Sequence, residues 1–167
     1  MPHTPLPYDP VAEARRQWAA HGWPDAADGM AAVTSLMRAQ QIVLARVEAV
    51  LRPMGVTFAR YEVLMLLHFS RSAALPMTVI GARLQVHPTS VTNAVDRLEG
   101  AGLARRLPHP SDRRTTLVSV TDGGRRLALD ATKRLNSEVF SAPGMPDGDV
   151  TALVDVLAGL RRGAGDF

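Results

Sequence analysis

The sequence contains no cysteine. That absence excludes disulfides, thiolate metal ligation and oxidant sensing through a thiol. Lysine is almost as scarce, since 18 of the 19 basic residues are Arg. Aromatic residues make up only 5%. There is no long hydrophobic run; the longest, such as Val63 to Leu67, are far too short to span a bilayer. Catalytic signatures are missing too. There is no Gly-rich phosphate loop, no nucleophile elbow and no metal-hydrolase motif, and Gly123-Gly124 lacks the spacing of a dinucleotide fingerprint. The five His are scattered without a His-x3-His pair. The expectation is a protein that is not an enzyme and carries no cofactor or metal. The opening MPHTPLPYDP is proline-rich, with neither a basic flank nor an apolar core. It does not resemble a signal peptide, so a cytoplasmic location is expected.

What is present is a chain of 167 residues, 46% apolar, enough for one domain with helical extensions. The formal net charge of +3 is too small to imply a partner. Its distribution is more informative. Between Arg83 and Arg126 eight Arg face four acids, a local +4, whereas the remainder holds 11 basic and 12 acidic residues. Positive charge concentrated in one stretch suits a local phosphate-binding surface. Arg also offers a planar, bidentate fork to phosphate and guanine. A GC-rich codon bias accounts for the chain-wide excess of Arg equally well.

Residues 1–8 are expected to form a flexible arm. Asp9-Pro10 is a helix start, an acidic N-cap followed by Pro at the first helical position. That helix ends near His21-Gly22, flanked by the two tryptophans, Trp18 and Trp23. A long helix is expected from about Asp28 to Arg52, stopped by Pro53 and Gly55. Thr57 caps a helix to about Ser70 that is apolar on nearly every side and therefore buried. Two short helices follow, one after Met77-Thr78 and one opened by His87-Pro88 and closed at Gly102. The short link Gln85 to His87 suits a helix-turn-helix. Leu103 to Leu107 and Thr115 to Val120 have strand character, joined by the turn-rich, basic segment 108–114. Thr121 caps a helix to about Phe140. A last amphipathic helix, Asp147 to Arg162, carries Val150, Leu153, Val154, Leu157 and Leu160 on one face.

This order predicts a mainly α fold with a small β-wing: a winged helix-turn-helix at 57–121. An N-terminal helix and long dimerisation helix occupy 9–56, and C-terminal dimerisation helices occupy 122–167. On the helix opened by Pro88, Val91, Val95 and Leu98 share one face. Thr89, Ser90, Thr92, Asn93, Asp96 and Arg97 lie opposite, a polar surface suited to a major groove. Thr and Asn are poor mid-helix residues, so helix stability alone does not explain them. At the wing, Arg113 and Arg114 are candidates for a minor groove, with Arg105 and Arg106 adding to a phosphate surface. Asp112 is expected to hold an Arg in place through a charged hydrogen bond.

The segment Gln85–Arg106 resembles the recognition helix and first wing strand of the MarR family of bacterial regulators. Asp112-Arg113-Arg114, the strand after it, and Thr121-Asp-Gly-Gly124 resemble that family's wing signature. The resemblance covers roughly residues 30–160. It implies a homodimer held by the terminal helices, a double-stranded, pseudo-palindromic operator and control by a small effector. The effector classes it implies are aromatic or anionic molecules and acyl-CoA thioesters, with repression as the expected mode. The region matching the effector site includes Met37, Gln40, Gln41, Arg60, Tyr61, Met65 and His68; most of these also suit a plain core. A winged-helix protein–protein interaction module without sequence-specific DNA binding is the alternative.

Overall fold

The computed structural model describes residues 5–72, 74–112 and 114–167. Its contacts divide the chain into two units, 1–46 and 47–167. The boundary falls inside the long helix, because Val47, Val50 and Leu51 are core residues of the second unit.

The first unit begins with α1 (Pro10–Ala20), whose Asp9 cap accepts the Val11 N–H at 2.9 Å. His21 ends it, and Gly22 turns the chain with φ +93°. Helix α2 (Pro24–Leu51) starts a full turn before the expected Asp28. Pro24 supplies the preset φ of a first helical residue, and Gly29 does not interrupt the helix. Trp18 and Trp23 pack on each other across the turn, ring centroids 5.3 Å apart. Arg15 and Asp28 pair at 2.5 Å. Ala27 is the one residue of the described part of this unit that is fully buried. Val33, Leu36, Met37, Ile42, Val43 and Leu44 are exposed.

In the second unit the last turn of α2 runs through a 3-10 turn, Arg52–Met54, to Gly55. Thr57 caps α3 (Phe58–Phe69). Glu48 satisfies a further free donor by accepting the Phe58 N–H at 2.8 Å. Helix α3 buries Tyr61, Val63, Leu64, Met65 and Leu67, as its all-round apolarity requires. Helix α4 (Met77–Leu84) and α5 (Pro88–Gly100) form the helix-turn-helix. The turn residue Gln85 is left-handed, φ +52°. Gly81 allows the two helices to approach, since a Cβ there would meet Val91 Cγ2 at 3.3 Å.

The sheet has order β1-β3-β2 and is antiparallel throughout. Strands β2 (Ala104–Pro108) and β3 (Thr116–Val120) are the wing, with Arg106 opposite Val118. The two-residue β1 (Leu75–Pro76) adds to the other edge of β3. It is too short to have a period, and sequence pattern does not announce it.

Helix α6 (Asp122–Leu135) ends earlier than the expected Phe140; Asn136–Phe140 widens into one π-helical turn. Helix α7 (Asp147–Gly163) has no buried residue. No helix among the described residues is long and apolar enough to cross a membrane.

Candidate nucleic-acid interface

Helix α5 is built to present one face. His87 caps it, its Nδ1 accepting the Thr89 N–H at 3.2 Å, and Pro88 fixes the first turn. Val91, Val95 and Leu98 enter the core. Thr89, Ser90, Thr92, Asn93, Asp96 and Arg97 are exposed together on the other side. The Thr92 hydroxyl is partly engaged, donating to the Pro88 carbonyl at 3.1 Å.

The wing tip is organised by Asp112 and His109. His109 Nδ1 accepts the backbone N–H groups of Ser111 and Asp112, at 3.3 and 3.2 Å. The Asp112 carboxylate accepts the Thr115 hydroxyl at 2.7 Å and the Arg114 backbone N–H at 3.0 Å. Those two donors hold its carboxyl below the ordinary aspartate range. Asp112 therefore positions Arg114 through the main chain. Arg114 itself is exposed. Arg113 lies outside the described residues.

Arg105 and Arg106 also make contacts inside the fold, of different strength. The Arg105 Nε donates to the buried Ser119 hydroxyl across the strand pair at 3.0 Å. Arg106 bridges the wing to α5. Its two terminal nitrogens reach Glu99 at 2.5 Å and Asp96 at 2.6 Å, and its backbone N–H donates to Glu99 at 2.9 Å. The Arg106 backbone N–H and guanidinium hold the Glu99 carboxyl below its ordinary value. A guanidinium engaged by two carboxylates is a strut between wing and helix, poorly placed to neutralise phosphate.

The wing root is fixed by Thr121. Its hydroxyl donates to the Gly102 carbonyl at 2.8 Å and accepts the Gly124 N–H at 3.0 Å. Gly124 sits so close to the start of β2 that a Cβ would lie 1.9 Å from the Leu103 carbonyl oxygen. This is the physical reason for Thr and Gly at these two positions.

Besides a smaller hollow of about 490 Å³ lined by Asn93, Asp96 and Arg97 of α5 itself, two concavities flank α5. One, about 660 Å³, lies between α4, the first turns of α5 and the wing, and is lined in part by Gln85, Thr92, Arg114 and Thr116. The other, about 530 Å³, lies between α3 and α5 and includes Arg60, Ser90, Asn93 and Arg97. The remaining residues expected at an effector site are placed differently. Tyr61 and Met65 are core residues, 7% and 9% exposed. The Tyr61 hydroxyl meets Thr132 Oγ1 at 2.9 Å, and the Met65 sulfur lies 3.3 Å from the same oxygen. His68 Nδ1 accepts from Arg125 at 3.1 Å. None of these three lines either concavity. Met37 and Gln41 are exposed on α2, in the first unit.

A helix-turn-helix followed by a two-stranded basic wing, with α5 presenting a polar face, defines a winged-helix protein of the transcription-regulator class. Residues 56–116 match the model of the MarR family. Sco5413, a MarR family transcriptional regulator from Streptomyces coelicolor, is 49% identical, with a TM-score of 0.77. That match covers 84% of this chain and 97% of Sco5413. CouR from Rhodococcus jostii RHA1, solved bound to p-coumaroyl-CoA, is 32% identical, with a TM-score of 0.64 over 75% of this chain and 87% of that one. The transcriptional repressor CouR has also been solved on a 23-mer DNA duplex; there the match is 29% identical, with a TM-score of 0.69 over 75% of this chain and 89% of that one. The HTH-type regulator YhbI of Bacillus subtilis is 31% identical over 80 residues, 48% of this chain. The chain thus spans about half, 51%, of that curated relative. The chain belongs to the MarR family of transcriptional regulators.

Proposed function

We propose that the chain is a ligand-responsive, DNA-binding repressor that grips a pseudo-palindromic operator as a homodimer. The observation that carries this reading is α5, with Thr89, Ser90, Thr92, Asn93 and Arg97 exposed together opposite a buried face. In this reading α5 enters the major groove, where Asn93 pairs with adenine and the hydroxyls meet bases or phosphates. Arg114, set by Asp112, follows the backbone into the minor groove. Two copies related by a two-fold axis would place their α5 helices in successive major grooves, about 34–36 Å apart. The exposed apolar residues of α7 support a second copy as the partner.

An aromatic, anionic or acyl-CoA-type effector is the proposed signal. CouR supports this, as a relative solved with p-coumaroyl-CoA. Control by such a ligand requires that it bind the DNA-free shape more tightly.

The test is a shift of the duplex upstream of the chain's own gene. Arg114→Ala should weaken binding across sequences and lower the salt slope by about one phosphate's worth. Asn93→Ala should mainly change base preference. No shift by the wild type, together with no effect of Arg114→Ala on any duplex, would instead favour an interaction module. A thermal-shift screen with no stabilisation by aromatic acids or acyl-CoAs would remove the effector half.

A further inference from the structure

The concavity between α3 and α5 is lined by two guanidiniums, Arg60 and Arg97, with Thr57, Ser90 and Asn93 beside them and no carboxylate. The nearest acid on α5, Asp96, shares an adjoining hollow with Asn93 and Arg97, and its carboxylate pairs with Arg106 at 2.6 Å. Two of the donors at the start of α3, the Phe58 and Arg60 N–H groups, are met by Glu48 and Thr57, and the formal charge of the concavity comes from its arginines. Arg60 spends one donor on the Thr57 hydroxyl at 3.1 Å, which fixes its stem and leaves the other guanidinium donors for a ligand.

At about 3.6 residues per turn, Ser90, Ala94 and Arg97 lie on one flank of α5 and Thr92 on the other. The Thr92 flank faces the concavity that includes Arg114. A helix with its side chains is about 10–12 Å wide, close to the width of a major groove of about 12 Å. A helix filling that groove has a phosphate backbone on each flank. The wing side meets one strand through Arg114. The α3 side needs a cation of its own for the opposite strand.

We propose that Arg60 and Arg97 form a phosphodiester clamp on the strand opposite the wing. This deepens the DNA-binding reading and rests on it. It gives Arg60, which the family resemblance places near an effector, a role on the DNA backbone. Ser90 adds a neutral donor, and Asn93 at the edge links clamp to base readout.

The experiment measures binding of the full-length protein to its own upstream duplex and to an unrelated duplex of equal length, across a salt series. Arg60→Gln should lower the log K against log salt slope by about 0.9, with a similar loss of affinity on both duplexes. Arg60→Lys should restore most of the slope, and Arg97→Gln should act like Arg60→Gln. A duplex with one neutral methylphosphonate at the clamped position should bind wild type and Arg60→Gln equally well. Circular dichroism melting confirms that each variant is folded. If Arg114→Ala lowers the slope but Arg60→Gln does not, the clamp is wrong and the DNA-binding reading stands. If wild type binds neither duplex, both fall. If Arg60→Gln keeps the slope but abolishes a thermal shift given by salicylate, the concavity is a small-anion site and the clamp is again overturned.

Discussion

Helix α3 and helix α7 are both rich in apolar residues, yet they meet opposite fates. Helix α3 buries five residues, with Leu64 wholly inaccessible. Helix α7 buries none, and Leu153, Val154, Val156 and Leu160 are 41–70% exposed. The difference shows where the fold is self-sufficient. The winged helix closes its own core with α3, α4, α5, α6 and the wing strands. The stripe on α7 finds no such cover among the described residues. Apolar periodicity alone therefore reports that a helix wants a partner, not whether the partner lies in the same chain.

The comparison breaks most sharply at glycines. A Cβ at Gly124 would overlap the Leu103 carbonyl, whereas one at Gly159 in α7 meets nothing within 4 Å. Gly124→Ala should cost about 3 kcal/mol or more and often prevent folding. Gly159→Ala should be neutral or stabilising by up to about 1 kcal/mol. Urea denaturation checks both; a Gly124→Ala protein as stable as wild type would show that the wing root is loose.

Next in size are the leucines. Leu64→Ala should lose about 3 kcal/mol through the cavity it leaves. Leu160→Ala should change the unfolding of dilute protein little and instead weaken the proposed homodimer, read as a raised dissociation constant in sedimentation. Equal destabilisation by the two, with self-association unchanged, would erase the distinction between the helices.

A smaller effect concerns the strut from the wing to α5. Glu99 has a folded value below its ordinary one, so its contribution to stability is present above the unfolded value. It is lost as pH falls through the folded value. The stability gap between wild type and Arg106→Ala should be widest near neutral pH and close in acid below the ordinary glutamate range. A gap that persists unchanged at low pH would mean that Arg106 acts by packing alone.

Much of the fold is legible in local chemistry. His87-Pro88, Thr57 and Thr121 announce helix starts through capping, and Gly102 marks an end, because each signal is a property of a few adjacent residues. The face of α5 is legible because its period is regular. Other features depend on contacts distant in sequence. Strand β1 exists because β3 offers an edge, not because Leu75-Pro76 favours a strand. Arg106 resembles a phosphate ligand until Glu99 and Asp96, seven and ten residues earlier, are brought beside it. Tyr61 and Met65 have the chemistry of an adaptable pocket, and only the position of Thr132 on α6 shows them to be packed. Arg60 gives no sign in the sequence that it shares a concavity with Arg97.

The junction at Thr121 also has a mechanical side. The hydroxyl of Thr121 ties Gly102, at the end of α5, to Gly124, in the first turn of α6. Gly124 is seated directly against Leu103, so the start of α6 and the start of β2 pack with no room for a side chain between them. Removing the Thr121 hydroxyl would therefore release two tethers at once, one to the end of α5 and one to the start of α6.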